Sequence, residues 1–235
     1  MKMIELKERP KNPLIIEGFP GFGFVSTIAT EFLIKHLNAK RIGSIFSTKL
    51  KPMVAIHDSE IIDPLEIYYD KKHNLVILRA LSNISGAEWE IAEMIIDLSK
   101  KLKAKEIISI EGVASDTVPT KTKSYYFTNL KGKKFDSIKV DNFKNGVIVG
   151  VTGVLLLKEK EIPLSCIFVE ADPTMPDSRA AGEAVKVLDN YLGLNVDYKP
   201  LVKAAEKFES KLKQLMTSVE KAAKQKQDKD TGYLG

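Results

Sequence analysis

Three apolar runs in this chain each finish on a carboxylate. They are Leu14-Ile15-Ile16-Glu17-Gly18, Ile107-Ile108-Ser109-Ile110-Glu111-Gly112 and Ile167-Phe168-Val169-Glu170-Ala171-Asp172. Short, bounded, β-branched runs of this kind read as buried strands. If the three lie parallel, Glu17, Glu111, Glu170 and Asp172 collect on the carboxyl edge of one sheet, where open α/β sheets bind ligands. Grouped carboxylates can hold a divalent cation, or raise one another's pKa for acid–base work. The plainer reading is that strand ends reach solvent, and solvent favours charge. The remaining chemistry-bearing residues add little. His36 falls late in a helix, His57 ends a strand and His73 sits in a hairpin turn. None has metal-ligand spacing to a second histidine or to Cys166. No Ser–His–Asp or Cys–His set stands out, and a lone cysteine in an apolar strand reads as core. The pattern therefore assigns no catalytic residue, no metal and no other cofactor.

The elements that must position these residues follow from periodicity. Leu14–Glu17 is a strand, Gly18-Phe19-Pro20-Gly21-Phe22-Gly23 a glycine-rich turn, and Val25 to Leu37 a helix. Strand, glycine loop and helix together present backbone N–H groups to a phosphate. The loop has neither the lysine and Ser/Thr pair of a P-loop nor the dinucleotide spacing. Its two phenylalanines favour packing or interaction over a phosphate cradle. Lys40–Phe46, Met53–Ile56, Leu65–Tyr69 and Leu75–Ala80 read as strands, the last two joined by a polar turn. Ser85-Gly86-Ala87-Glu88 has the spacing of a capping box and opens a helix to about Leu102. Glu106–Glu111 and Leu164–Glu170 are buried-type strands, with weaker elements at Tyr125–Asn129 and Phe135–Val140. The apolar run Val151–Leu157 suits a short buried helix, and Asp177 caps a helix to about Leu192. Strands alternating with helices predict a three-layer α/β/α sandwich with a mixed sheet.

Composition bounds the rest. The 235 residues are 44% hydrophobic and 29% charged, as in a soluble globular protein. No apolar run reaches the roughly 18 residues of a membrane span. Met1 to Pro13 is charged and lacks a secretory apolar core. A single cysteine excludes an internal disulfide and fits a reducing cytoplasm. Of the net charge of +5, the stretch from Lys199 onward carries +4, from nine lysines and five acids. That basic excess suits an acidic protein surface. With no arginine and few aromatic residues, the arm is not the composition of a nucleic-acid binder.

The arm itself has a second pattern. Leu201, Ala205, Phe208, Leu212, Leu215, Val219 and Ala222 recur at alternating spacings of four and three, a heptad seam. Residues 199–226 read as an amphipathic helix roughly 40 Å long, beside an α/β body, residues 1–198, roughly 40 Å across. A helix as long as its body is wide either packs on its own domain or pairs with another copy. Phe208, Leu212, Leu215 and Val219 are the candidate self-association residues. Residues 227–235 read as a flexible tail that carries Tyr233, Leu234 and Gly235, candidate docking residues at the end of a polar tether.

Several of these stretches carry a resemblance. Glu17-Gly18-Phe19-Pro20-Gly21-Phe22-Gly23-Phe24-Val25, then Glu111-Gly112-Val113-Ala114, then Gly150-Val151-Thr152-Gly153-Val154-Leu155-Leu156 before Ile162-Pro163, then Pro176-Asp177, resemble the pattern of the proteasome assembly chaperone family. The resemblance implies a nucleoside phosphorylase- or hydrolase-like fold without a catalytic set, and a C-terminal helix. It also implies a homo-oligomer, a tetramer being favoured, in the cytoplasm. On this reading the chain is a non-enzymatic assembly chaperone homologue, activator or adaptor that binds the α subunits of the 20S proteasome, with no membrane or nucleic-acid partner. Proteasome partners of this kind often end in a hydrophobic residue, tyrosine and one further residue. Here Tyr233 is antepenultimate and follows Gly232, which displaces the ring by about 3.5 Å relative to the terminal carboxylate. The alternative drawn from the residues is a small-ligand binder or a hydrolase- or phosphorylase-like enzyme that uses Glu17, Glu111 and Glu170.

Overall fold

Strand-type and helix-type runs alternate along the chain. The computed structural model describes residues 2–57, 59–81, 83–114, 122–132 and 135–199. Within them the elements are β1 (Lys2–Leu6), β2 (Leu14–Gly18), α1 (Val25–His36), β3 (Lys40–Ser47), β4 (Ala55–His57), β5 (Glu60–Ile62), β6 (Leu65–Asp70) and β7 (Leu75–Ala80). They continue with α2 (Glu88–Leu102), β8 (Glu106–Ala114), β9 (Ser124–Thr128), β10 (Asp141–Asn142), α3 (Gly150–Leu157), β11 (Leu164–Ala171) and α4 (Ser178–Leu192). The C-terminal arm, with Phe208, Leu212, Leu215, Val219, Tyr233, Leu234 and Gly235, lies outside the described residues.

One mixed sheet runs in the order β1-β3-β6-β7-β2-β8-β11-β9-β10. Its centre, β7-β2-β8-β11, is parallel, and its flanks are antiparallel at β6, β3 and β1 and between β11 and β9. The central strands read as unbroken apolar runs because both their faces are covered. Ile15, Val76, Leu78, Ile107, Cys166 and Phe168 face one core with α2 and α3. Ile16, Leu75, Ile77, Ile108, Ile110, Ile167 and Val169 face the other, with α1 and α4. The architecture is therefore the α/β/α sandwich with a mixed sheet that the alternation predicts.

Local differences have local causes. β1 arises from the charged N-terminal stretch, which carries no strand signal. It is half exposed and takes its pairing from β3 along an edge. Among the described residues β4 pairs only with β5, in a two-stranded sheet apart from the main one. The capping box expected at Ser85 is not formed. α2 begins at Glu88 with Ala87 as its N-cap, and the Ser85 hydroxyl bonds Asn83 instead. The Glu88 carboxylate accepts from the Gly86 N–H at 2.9 Å, because the chain turns again at Gly86, where φ is 86°. Asp177 does cap α4, its carboxylate accepting from the Ala180 N–H at 2.9 Å.

Candidate functional site

Period-two alternation decides which carboxylates meet. Ile15 and Ile107 face α2 and α3, so Glu17, Ser109 and Glu111, two and four residues on, face the same side. The register sets Glu17 directly beside Ser109. From above, the first turn of α3 brings Thr152 into the group. Its hydroxyl lies 2.9 Å from Glu111 Oε2, 3.4 Å from Glu17 Oε1 and 2.8 Å from Ser109 Oγ. A hydroxyl has one proton to donate, so it serves one carboxylate at a time. Glu17 is 1% exposed. Burial pushes its pKa up to about 7, and the Ser109 and Thr152 hydroxyls only partly offset that. Glu111 is pushed up to about 8, first by burial and then by the neighbouring Glu17. The same burial, with Glu17 and Glu111 nearby, holds the Cys166 thiol well above its ordinary value. Two carboxyls that resist ionisation near neutral pH can donate as well as accept a proton.

The glycine loop closes over this pair. A side-chain carbon at Gly21 would collide with the Glu111 carboxylate, and one at Gly112 with the Phe22 carbonyl. Phe19 is buried and Phe22 is largely exposed. These glycines allow close approach of loop to strand, which agrees with the reading of the loop as a packing element.

The other two strand-end acids do not join the pair. Glu170 accepts from the Tyr125 hydroxyl at 2.8 Å in the wall of a cleft of about 850 Å³ whose lining includes Glu111, Tyr125, Asp141, Phe143, Val147 and Glu170. Phe143 packs against Tyr125 and Phe168 and forms part of the cleft wall. Asp172 turns away into the loop before α4 and accepts from the Thr174 N–H and hydroxyl and the Met175 N–H. Those donors lower its pKa. Among the described residues, no group of three or more His, Cys, Asp or Glu is placed to hold a metal ion. His36 stacks on Phe32, and His73 Nδ1 meets Asp70 at 2.6 Å.

Sequence reasoning missed Ser109 and Thr152. The available signal was a hydroxyl inside an apolar run, Ile-Ile-Ser-Ile and Val-Thr-Gly-Val, which costs free energy unless it finds a partner. It also missed a buried ionic cluster on the opposite face. Arg79, on β7, bonds Glu66 on β6 and Glu31 on α1, the latter at 2.6 Å. Glu66 also takes Arg41 Nε at 3.0 Å and the Tyr68 hydroxyl at 2.8 Å. The Arg79 guanidinium sits 5.1 Å over the Tyr68 ring. Against its burial, Arg79 and Lys35 lower the Glu31 pKa, and against its own burial Arg79 is raised by Glu31, Tyr68 and Glu66.

With this geometry in hand, comparison with known proteins decides the family. The model of the PAC2 family matches residues 15–216. The chain belongs to the PAC2 family. The Glu17-to-Val25 motif and its glycine loop lie inside that match. One relative is an uncharacterized protein of Methanocaldococcus jannaschii, 30% identical over 223 residues, which are 92% of this chain and 90% of the relative. The crystal structure of Pyrococcus furiosus PbaA, an archaeal homolog of proteasome-assembly chaperone, is 31% identical with a TM-score of 0.85, covering 95% of this chain and 100% of PbaA. Pyrococcus furiosus PbaB, an archaeal proteasome activator, shares the PAC2 fold at 23% identity and a TM-score of 0.74, over 92% of this chain and 98% of PbaB. No helix among the described residues is long and apolar enough to cross a membrane.

Proposed function

We propose that this chain is a non-enzymatic proteasome-binding protein, an assembly chaperone homologue, activator or adaptor. Its C-terminal tail, led by Tyr233, Leu234 and Gly235, docks on the α-ring of the 20S proteasome. The observation that carries the reading is the end-to-end likeness to PbaA, at 31% identity with a TM-score of 0.85. The basic arm adds to it, since +4 of the net +5 lies from Lys199 onward. Copies of the chain associate through Phe208, Leu212, Leu215 and Val219, so that several tails act together. Avidity of that kind multiplies a weak contact by about 10²–10⁴ where geometry allows. The test is surface plasmon resonance on an archaeal 20S core particle, at two salt concentrations, with the full chain and a chain ending at Gln227. Binding by the full chain that disappears on truncation is expected. Equal binding by both would move the contact to the body, and binding by neither would remove the proteasome from the account.

A second reading is favoured by one observation, the Glu17–Glu111 pair beside the cleft. There the chain binds a small ligand or acts as a hydrolase- or phosphorylase-like enzyme. A nucleoside, nucleotide or divalent cation would then raise the melting temperature, and Glu111→Gln would abolish the rise. No shift with any of them ends that reading.

A further inference from the structure

The cleft has a plan that neither reading above uses. Strand register sets Glu111 on β8 beside Phe168 on β11, Phe168 beside Tyr125 on β9, and Tyr125 beside Asp141 on β10. Register partners point to one face, so these four form a row across the sheet. A carboxylate stands at each end of the row, three strand spacings or about 14 Å apart at the backbone. Between them the row is aromatic, Phe168 and Tyr125, and Phe143 packs on both and lines the cleft. Glu170, two residues beyond Phe168, adds a third carboxylate. Its hydrogen bond, burial, and the charges of Glu170 and Asp141 raise the Tyr125 pKa, which sets both acids around one hydroxyl. The apolar rim is open, with Phe22, Val147 and Val149 at 43%, 89% and 66% exposed. A volume of about 850 Å³ is that of a small-molecule site.

We propose that the cleft binds a linear aliphatic diamine, with one ammonium at Glu111, the other at Asp141, and the hydrocarbon chain along the Tyr125 and Phe143 rings. The inference goes beyond both readings above and requires neither. These carboxylates lack what others in the molecule have. Glu31 and Glu66 are met by Arg79, Lys35 and Arg41. Among the described residues no base pairs with Glu111, Asp141 or Glu170, although Lys144 shares the lining. Glu111 Oε2 takes the Thr152 hydroxyl, and Oε1 has no donor among the described residues. The sign of the lining disfavours an anion. Its acids are spread along the row rather than convergent, and no group of three described ligands is placed for a metal ion. Two separated ammonium groups match two separated carboxylates, and aromatic faces favour a cation and its alkyl stem.

The test is titration calorimetry of the full chain at pH 8.5 with cadaverine, pentylamine, pentanol and magnesium chloride. Cadaverine is expected to bind about tenfold or more tightly than pentylamine, because its second ammonium adds a charge-assisted hydrogen bond. Pentanol and magnesium are expected not to bind. Asp141→Asn, at an exposed position, and Glu111→Gln each bring cadaverine down to the level of pentylamine. The ionisable groups around Glu111 are Glu17 on β2, Cys166 and Glu170 on β11, Tyr125 on β9, Asp141 on β10 and Lys144 beyond it, while the glycine loop and α3 bring none. Burial and Glu17 keep Glu111 protonated below about pH 8, so cadaverine binds several-fold more weakly at pH 6.5, and Glu111→Gln flattens that difference. Equal affinity for cadaverine and pentylamine, unchanged binding in Asp141→Asn, or magnesium binding as tightly as cadaverine overturns the proposal. A nucleotide that binds where cadaverine does not also overturns it, and leaves the second reading standing.

Discussion

Glu17 shows how one side chain ties the site to stability. Its pKa in the folded chain is raised above the ordinary carboxyl value, to about 7, and that of Glu111 to about 8. The folded state therefore holds protons that the unfolded chain has already released. Its stability is fully present below the ordinary carboxyl range and falls as pH rises through these two values. Glu17→Gln keeps the shape and the hydrogen bonds but has no charge to bury. It is expected to stabilise the protein by roughly 1–3 kcal/mol at pH 8.5 and by nearly nothing at pH 4.5, read by chemical denaturation at both. A gain of equal size at the two pH values would show that ionisation is not the cause. Arg79 gives the opposite sign. Arg79→Met removes the shared cation and leaves Glu66 with Arg41 and Glu31 with Lys35, a loss of about 1.5–3 kcal/mol at neutral pH. The loss shrinks as pH falls and Glu31, whose pKa its cations hold down, takes up a proton, and denaturation at pH 7 and 4 checks both statements. Neither cluster could be read in full from the sequence. The carboxylates were visible as the ends of apolar runs. Their hydroxyl partners come from other elements, and Thr152 meets Glu17 only because α3 folds back over β2, 135 residues away along the chain.

At the scale of elements, legibility followed burial. β2, β7, β8 and β11 are apolar on both faces and could be placed from their runs alone, as could α1 from its periodicity and α4 from its Asp177 cap. β1 was invisible because an edge strand takes its order from its neighbour rather than from a buried face of its own. Phe135 was assigned to a weak segment, yet it is fully buried, stacked between Tyr126 and Tyr191 at centroid distances of 4.4 and 4.3 Å. That stack joins β9 to α4, a contact no local pattern encodes. The two caps separate in experiment. Asp177→Ala removes the bond to the Ala180 N–H and is expected to cost about 1 kcal/mol. Ser85→Ala removes no cap and is expected to stay within about 0.5 kcal/mol. Thermal unfolding of the two variants side by side checks the distinction, and equal losses would restore Ser85 as a cap.

The whole chain joins a nearly neutral body to a basic arm, and the proteasome contact proposed for that arm, if driven by charge, would carry a salt signature. Raising salt from 0.05 to 0.5 M is expected to weaken binding of the full chain by about tenfold or more, because exposed charges are screened over a few ångströms at the higher value. Insensitivity to salt in the resonance experiment would assign the contact to Tyr233 and Leu234 rather than to the lysines. The order of strands has one further consequence, for synthesis. β9 makes its five-residue pairing with β11, which the ribosome completes only at Ala171, 43 residues after Thr128. At about 5–20 residues per second, the nascent chain holds that strand without its main partner for about 2–9 s. The sheet from β1 to β8 is already encoded by then, so the half that must wait is the half that builds the outer wall of the cleft.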